Sequence, residues 1–327
     1  MARIILARLG WAVPVIGVIL VVNFLIIHLA PGDPVQALVG DFPAPPGYLE
    51  QVRRDFGLDQ PLPVQLWRYG ENLLAGNLGY SFANRQPVLG LILARAGTTM
   101  ILMLPALTTA SLLGIVLGLA AARRSGSWID SGITALALFG YSVPIFWLGQ
   151  LLIILFSIEL GWLPAQGMIS LRTNPTGWAA VKDVAWHLVL PAFSITIFFV
   201  AIVARVARAR IIGVLSEDFV TTALAKGLPR RAVLWRHVVP NAMIPVATVI
   251  GYNFGYSLTG AILVETVFAW PGLGSLFIAS VGNRDYPVLQ GILLLSSVMV
   301  VAANLVTGLA YALLDPRVRR SYGARGA

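Results

Sequence analysis

The chain contains no cysteine and only three histidines, at positions 28, 187 and 237 of its 327 residues. The absence of cysteine excludes disulfides, thiolate zinc sites, iron–sulfur clusters and cysteine nucleophiles, and so few histidines argue against a histidine-rich metal centre. Charged residues make up 11% of the chain, whereas soluble domains average about 25%. Because 57% of the residues are hydrophobic, the composition predicts a chain embedded in a membrane.

Two further absences narrow the function. The sequence has no Gly-Lys pair, so it lacks the phosphate-binding loop of P-loop ATPases. It has neither an HExxH pair nor an Asp-rich diphosphate-binding motif, which disfavours a zinc protease and a prenyl transferase. The net charge is +9, but the arginines lie between long apolar runs and form no basic stripe with interleaved aromatics. No nucleic-acid partner is therefore predicted, and no metal site.

Six apolar stretches are long enough to cross a bilayer as helices, which requires about 20 residues each. The first follows Arg3 and Arg8 and lacks a small-residue cleavage site, so we interpret it as an uncleaved span. Prolines in or near several stretches favour a packed bundle, in which neighbouring helices satisfy the freed carbonyl groups. The sequence thus predicts an all-α polytopic membrane protein with six transmembrane helices, at about 11–29, 99–122, 131–158, 185–204, 243–264 and 289–314.

The distribution of basic residues predicts the orientation of these spans. On one side of the membrane, 15 basic and 4 acidic residues lie in the N-terminus, the loops 123–130 and 205–240, and the C-terminal tail. On the other side, 8 basic and 10 acidic residues lie in the segments between the remaining spans. The positive-inside rule assigns the first side to the cytoplasm, so both termini are predicted to be cytoplasmic.

The segments outside the spans complete the predicted organisation. The insert between the first two spans is rich in proline and glycine, and it predicts short helices from Tyr48 to Phe56 and from Pro63 to Leu74 that rest on the outer ends of the spans. The chain divides into a first transmembrane helix (1–30), an extracytoplasmic insert (31–98), a five-helix core (99–314) and a cytoplasmic tail (315–327).

The cytoplasmic loop between the fourth and fifth spans predicts two short helices. Ser216 is a plausible N-cap with acidic residues in the first turn, Gly227 suits a left-handed helix end, and Pro229 blocks continuation. A second helix is expected from Arg230 towards Pro240, where the fifth span would begin. The first helix carries an apolar face that would enter a protein groove or lie on the lipid surface, formed by Phe219, Val220, Ala223 and Leu224.

This loop resembles the EAA loop of ATP-binding-cassette importer permeases, in which a Glu-Ala-Ala triplet precedes a glycine and a proline follows that glycine by 13 residues. Gly227 and Pro240 stand at this separation, and Ala223 occupies the third triplet position. Thr221 and Thr222 replace the first two triplet residues. The stretch "DFVTTALAKGLP" is similar to the version found in oligopeptide and dipeptide permeases.

Five other stretches, in order along nearly the whole chain, resemble the B-type membrane subunit of the oligopeptide, dipeptide and nickel ABC importer family. They are "HLAPGDP", "RRDFGLDQPLPVQ", "GNLGYSFANRQPV", "VETVFAWPGLGSLFIASVGNRDYPVLQG" and "LLDPRVR". The resemblance implies a type I ABC importer permease in a bacterial inner membrane, with a long outer insert after the first span.

The resemblance also implies partners and cargo. A second, C-type permease would complete the translocation path, two cytoplasmic ATPase subunits would bind ATP and Mg, and an extracytoplasmic binding protein would deliver the substrate. The chain itself would be non-catalytic and would hold no cofactor. The implied cargo is a peptide, with nickel or another small solute as the alternative.

Under this interpretation the cytoplasmic loop couples the chain to the ATPases. We expect Phe219, Ala223 and Leu224 to insert into an ATPase groove, Gly227 to set the angle to the next helix, and the fifth span to move as a lever. The predicted coupling residues are Phe219, Val220, Thr222, Ala223, Leu224, Lys226, Gly227 and Pro240.

Polar side chains within or beside the spans are the candidates for a substrate path, because burying them in hydrocarbon is costly. The alternative for each is a hydrogen bond to a neighbouring helix. Glu265 and Asp285 could meet a peptide amino group or pair with Arg284, and His28 and His187 are expected to anchor the chain at the membrane interface. The predicted path residues are Tyr141, Gln150, Asn253, Tyr256, Ser257, Glu265 and Asn304.

Two other classes of function are alternatives to the importer. Gly255-Tyr256-Ser257 loosely resembles a membrane serine-protease motif, with His187 as a candidate base. A passive channel would use the same spans, but it would not explain the EAA-like loop.

Overall fold

The computed structural model describes residues 2–29, 47–55, 60–81, 83–173, 175–257 and 262–314. Within these ranges the chain is helical apart from loops and one short hairpin. The first half contains α1 (Ala2–Leu29), α2 (Tyr48–Asp55), α3 (Leu62–Leu74), β1 (Tyr80–Ser81), β2 (Gln86–Pro87), α4 (Val88–Arg123), α5 (Trp128–Ser142) and α6 (Ile145–Leu152). The second half contains α7 (Trp178–Leu215), α8 (Asp218–Ala225), α9 (Arg230–Val233), α10 (Val239–Ser257), α11 (Ile262–Val267), α12 (Leu273–Gly282) and α13 (Tyr286–Leu314).

Among the described residues, four helices are long and apolar enough to cross a membrane, and a bent pair forms a fifth candidate span. The four are α4, α7, the continuous helix that includes α9 and α10, and α13. The described apolar part of α1 is shorter, from Val13 to Leu25. The fold is thus a polytopic helical bundle, as predicted, while the count of six spans stays a prediction.

The third predicted span is not one straight helix. It consists of α5 and α6, which meet at an angle of 96°, and α6 continues as a π-helix over Ile153–Glu159. Pro144 has no backbone N–H and disfavours helical backbone at the preceding residue, so Val143 is extended, with ψ of 125°. The expectation of a continuous helix over 131–158 was therefore wrong.

The fifth predicted span also differs from its expected bounds. Helical structure begins at Arg230, runs through a π-helix over Leu234–Val238 and ends at Ser257. A separate short helix, α11, begins at Ile262, and residues 258–261 lie outside the described part of the chain. The predicted range of 243–264 therefore begins too late and joins two helices.

The core of the bundle is the contact between α4 and α7. A Cβ atom at Gly114 would lie 2.6 Å from Cβ of Val203, and one at Gly118 would lie 2.6 Å from Cβ of Ala207. Side chains at these two glycines would separate the helices, so the small residues allow the two backbones to approach closely.

The insert packs against one end of the bundle, the end predicted to be outside. Its two described helices match the predicted ones to within one residue at each end. Tyr69 of α3 lies against Phe24 of α1, with ring centroids 6.1 Å apart. In the hairpin, Ser81 pairs with Gln86, and the Ser81 hydroxyl donates a 2.5 Å hydrogen bond to Asp285, just before α13. The predicted residues 31–46 of the insert and the tail, 315–327, lie outside the described residues.

Candidate functional site

The loop predicted to be cytoplasmic contains the predicted short helix, α8, but a different residue stands at its N-cap. Glu217 occupies that position with extended backbone, and Asp218 lies in the first turn. Ser216 instead ends α7, where its hydroxyl donates a 2.7 Å hydrogen bond to the carbonyl of Gly213. The prediction of Ser216 as the N-cap was wrong because α7 extends through Leu215 and uses the serine for its own last turn.

The end of α8 follows the prediction. Gly227 has a φ of +80°, in the left-handed region that favours glycine. Its N–H donates to the carbonyl of Leu224 at 2.9 Å, and the N–H of Leu228 donates to the carbonyl of Ala223 at 3.3 Å. This pair of bonds is a Schellman motif, which satisfies the last carbonyls of the helix. Gly227 therefore sets the direction in which the chain leaves α8.

One side of α8 is packed against the bundle. Val220 and Ala223 are 2% and 6% exposed. They belong to a buried cluster with residues from α4, α7 and the helix that leads into α10, namely Ala122, Ile211, Val233, Leu234, Val238 and Ala242. The expectation that these two residues face the cytosol was thus wrong. Both side chains, including that of Ala223, pack against other helices of the same chain.

The large apolar side chains of α8 flank this packed side. Phe219 and Leu224 are each 41% exposed. Thr222 and Lys226 lie on the exposed part of the segment, and the Thr222 hydroxyl donates to the carbonyl of Asp218. The helix therefore presents two apolar side chains, beside polar ones, at the end of the bundle where the loop lies.

The prediction that a new helix begins at Pro240 was wrong, because helical structure is continuous from Arg230. Proline cannot donate to the carbonyl four residues before it, and its ring crowds that carbonyl. The π-helix immediately before Pro240 widens the turn. The Asn241 side chain also donates to the carbonyl of His237 at 2.6 Å. Helical structure is therefore continuous from Arg230 in the loop to the end of α10.

A second polar site lies between α5 and α7, around Tyr141. The Tyr141 ring stacks on Phe198, with centroids 5.4 Å apart, and the Arg205 guanidinium lies 5.3 Å from the Tyr141 centroid. Arg208 pairs with Asp130 through two hydrogen bonds of 2.5 and 2.7 Å. Tyr141, Arg205 and Arg208 line a groove of 120 Å³ whose other walls are Ile133, Thr134, Ala137, Leu138, Ala201 and Ala204.

The sequence prediction contained Tyr141 but missed its charged neighbours. Asp130 and Arg208 are 78 residues apart in the chain, so nothing in their spacing indicates the pair. Arg205 was assigned to the loop after the fourth span, whereas α7 continues for ten residues beyond it. A sequence signal does exist, because Arg205 interrupts an apolar run that continues through Val206 and Ala207.

Glu265 is fully buried, with 0% exposure, and does not line an open path. Its carboxylate accepts hydrogen bonds from the Thr99 hydroxyl at 2.7 Å and from the backbone N–H groups of Gly274 and Ser275 at 2.7 and 3.0 Å. A Cβ atom at Gly272 would overlap this carboxylate. The alternative reading, a polar group that bonds neighbouring helices, holds for Glu265, and the expectation of contact with substrate is corrected.

Two further polar residues near the predicted outer side are also held inside the protein. Asp285 accepts the Ser81 hydroxyl and is buried. His187 is buried rather than exposed at an interface, and its Nδ1 lies 2.8 Å from the carbonyl oxygen of Asp183. The expectation of interfacial anchoring by His187 was wrong for this reason. The side chain of His28 lies outside the described residues.

The remaining path candidates occupy different environments. Asn253 is buried, and its Nδ2 has no hydrogen-bond partner among the described residues. Gln150 and Asn304 are exposed on their helices. The side chains of Tyr256 and Ser257 lie outside the described residues. Among the described candidates, the groove between α5 and α7 includes only Tyr141.

Comparison with known families accounts for almost the entire chain. Residues 114–320 match the family described as binding-protein-dependent transport system inner membrane component, and residues 1–103 match the N-terminal region of such a membrane component. The chain belongs to this family of inner membrane transport components. Membership favours the transport reading over the intramembrane enzyme.

Two similar proteins align with this chain over nearly its full length. The di/tripeptide transport system permease protein DppB of Pseudomonas aeruginosa is 38% identical over 98% of this chain and 99% of its own length. The glutathione transport system permease protein GsiC of Escherichia coli O6:H1 is 40% identical over the same shares.

Chains of two solved ABC transporter structures have the same fold as this chain. A chain of the inward-facing MetNI methionine ABC transporter has a TM-score of 0.54 at 14% identity, over 69% of this chain and 97% of its own. A chain of an amino acid ABC transporter solved with histidines has a TM-score of 0.53 at 18% identity, over 68% and 94%. The fold is therefore the type I importer permease fold.

Proposed function

We propose that the chain is the permease subunit of an ATP-driven importer of peptides. The names of two full-length relatives, which are a di/tripeptide and a glutathione permease, support this cargo. Nickel or another small solute is the alternative cargo. Uptake of a radiolabelled dipeptide, a tripeptide and nickel by the complete transporter distinguishes them, and uptake of nickel alone would contradict the peptide assignment.

The proposal includes partners that supply what this chain lacks. A second, C-type permease completes the path, two cytoplasmic ATPases bind ATP and Mg, and an extracytoplasmic protein delivers the peptide. The absence of a Gly-Lys pair supports an ATPase on other chains. Both termini lie in the cytoplasm of this assembly, in agreement with the basic residues on that side.

The observation that carries the coupling proposal is the two-sided packing of α8. Val220 and Ala223 attach the helix to the bundle, while Phe219 and Leu224 remain 41% exposed. We assign the contact with the ATPases to Phe219 and Leu224, beside Thr222 and Lys226. Because Gly227 and the uninterrupted helix through Pro240 connect α8 to α10, movement of the ATPases would shift α10 as a lever.

The experiment introduces charge on the exposed side of α8. Phe219→Asp combined with Leu224→Asp should lower peptide uptake at least about tenfold and reduce co-purification of the ATPases, because a buried unpaired charge is costly at an interface. Phe219→Leu combined with Leu224→Met, which keeps both exposed side chains apolar, is the matched control. Normal uptake by the doubly charged variant at wild-type membrane levels would contradict the coupling role.

The proposed path is lined by the polar side chains of the spans, without Glu265. It includes Tyr141, Gln150, Asn253, Tyr256, Ser257 and Asn304. Among these, the buried Nδ2 of Asn253 lacks a partner in the described part of the chain, which leaves it available to a passing solute.

A further inference from the structure

Two arginines of α7, three residues apart, contact opposite ends of α5. Arg208 reaches Asp130 at the start of α5, and Arg205 reaches the Tyr141 ring near its end. At a rise of about 1.5 Å per residue, the two arginines are separated by about 4.5 Å along α7, whereas Asp130 and Tyr141 are separated by about 16 Å along α5. The Arg205 side chain therefore extends along the helices, away from the end of the bundle where Asp130 lies.

This direction is the opposite of the one expected for an arginine that faces lipid. The Asp130 end of α5 follows Arg123 and Arg124 and lies on the predicted cytoplasmic side. A lipid-facing arginine extends back towards the nearest headgroups, and a charge held deeper faces a water-filled cavity or the interior of the bundle. The Arg205 guanidinium lies within a candidate span and points deeper. Its position indicates an aqueous pathway.

The charge of Arg205 is available to a ligand. Asp130 neutralises Arg208, whereas Arg205 forms no ion pair with a carboxylate of the described residues. The Tyr141 ring contacts the guanidinium without accepting a strong hydrogen bond, and Arg205 forms no side-chain hydrogen bond among the described residues. Its N–H groups can therefore bind a carboxylate through two parallel hydrogen bonds. The groove has a volume of 120 Å³, which is well above what a single water molecule requires, so it accommodates an end group such as a carboxylate.

We propose that Arg205, supported by the ring of Tyr141, binds the carboxylate of the solute in the translocation pathway. This inference rests on the proposed function, under which the ligand is the C-terminal carboxylate of the peptide. Tyr141 then acts as a positioning residue, and the apolar walls of the groove contact the last side chain of the peptide.

The test compares trialanine with trialanine amide, which lacks the C-terminal charge, as substrates of the complete transporter in proteoliposomes. Arg205→Gln should raise the half-saturating concentration of trialanine about tenfold or more, since hydrogen bonds to charged groups are strong, and change that of the amide less than about twofold. Arg205→Lys should recover part of the loss. Arg210→Gln, at an exposed position of the same helix, is the control.

Each other outcome overturns the inference. Equal effects of Arg205→Gln on both peptides would indicate a contact with a partner subunit, and no effect on either would exclude the site. A loss that occurs only in vesicles containing phosphatidylglycerol, for both peptides alike, would identify a lipid contact. If Arg205→Gln does not assemble, Tyr141→Leu provides the test, with an expected loss of about two- to fivefold for trialanine alone. Phe139→Leu, at an exposed aromatic residue of the same helix, is its control. If the wild-type transporter takes up neither trialanine nor its amide, the result would instead contradict the proposed cargo, and this inference with it.

Discussion

Glu265 and Arg205 are both charged side chains among apolar helices, yet their surroundings differ. Glu265 is 0% exposed and accepts three hydrogen bonds from Thr99, Gly274 and Ser275. Arg205 is exposed and contacts an aromatic ring, without a carboxylate partner among the described residues. A charge whose bonds are all satisfied within the chain joins helices, whereas a charge with free donors is available to a ligand.

The largest effect is expected at Glu265, because its loss leaves several buried donors without an acceptor. Glu265→Ala should destabilise the chain by about 3 kcal/mol or more, since each unsatisfied buried group costs about 1–3 kcal/mol. The midpoint of thermal unfolding of the detergent-purified chain measures this change. Glu265→Gln retains an acceptor oxygen and should cost less. A Glu265→Ala chain with wild-type stability and altered peptide specificity would contradict the structural role of Glu265.

A second variant measures how tightly the packed side of α7 contacts α4. A Cβ atom at Gly118, on α4, would lie 2.6 Å from Cβ of Ala207, so Gly118→Ala should cost about 1–3 kcal/mol through overpacking. Gly132→Ala, on α5, meets no atom within 4 Å and is the control, with no loss expected. Chemical unfolding in mixed micelles provides the measurement. Equal stability of the two variants would show that the α4–α7 contact adjusts freely.

The smallest effect is expected at the end of α8. Gly227→Ala places a side chain at a φ of +80°, which costs about 1 kcal/mol, and it should lower uptake without removing the ATPases. Uptake per co-purified ATPase is the measurement. Gly213→Ala, a helical glycine with no atom within 4 Å of its Cβ, is the matched control. An unchanged ratio for Gly227→Ala would mean that the turn after α8 has no part in coupling.

The sequence predicted features that depend on local chemistry. The role of Gly227 at the end of α8 was predictable because a left-handed backbone is required there. The two insert helices were predictable from local patterns of apolar residues. The sequence did not predict the bend at Pro144, because prolines also occur inside continuous helical spans such as α4, which contains Pro105. Whether a proline bends a span depends on its packing with other helices.

The candidate site was less predictable because its residues meet through tertiary contacts. The four apolar side chains of α8 occupy one broad arc, and only the packing of the bundle decides that Ala223 turns inwards and Leu224 remains exposed. In the same way, Thr99 meets Glu265 from 166 residues away. Composition indicates that such polar groups need partners but does not identify them.

The most direct test of the coupling role is site-specific photo-crosslinking in the intact transporter in its native membrane. A photoreactive amino acid at Phe219 should crosslink to an ATPase subunit, and the same group at Val220, which is 2% exposed, should crosslink within the chain. Crosslinks from Phe219 only to lipid, or to no second polypeptide, would contradict the proposal that α8 connects the permease to its source of energy.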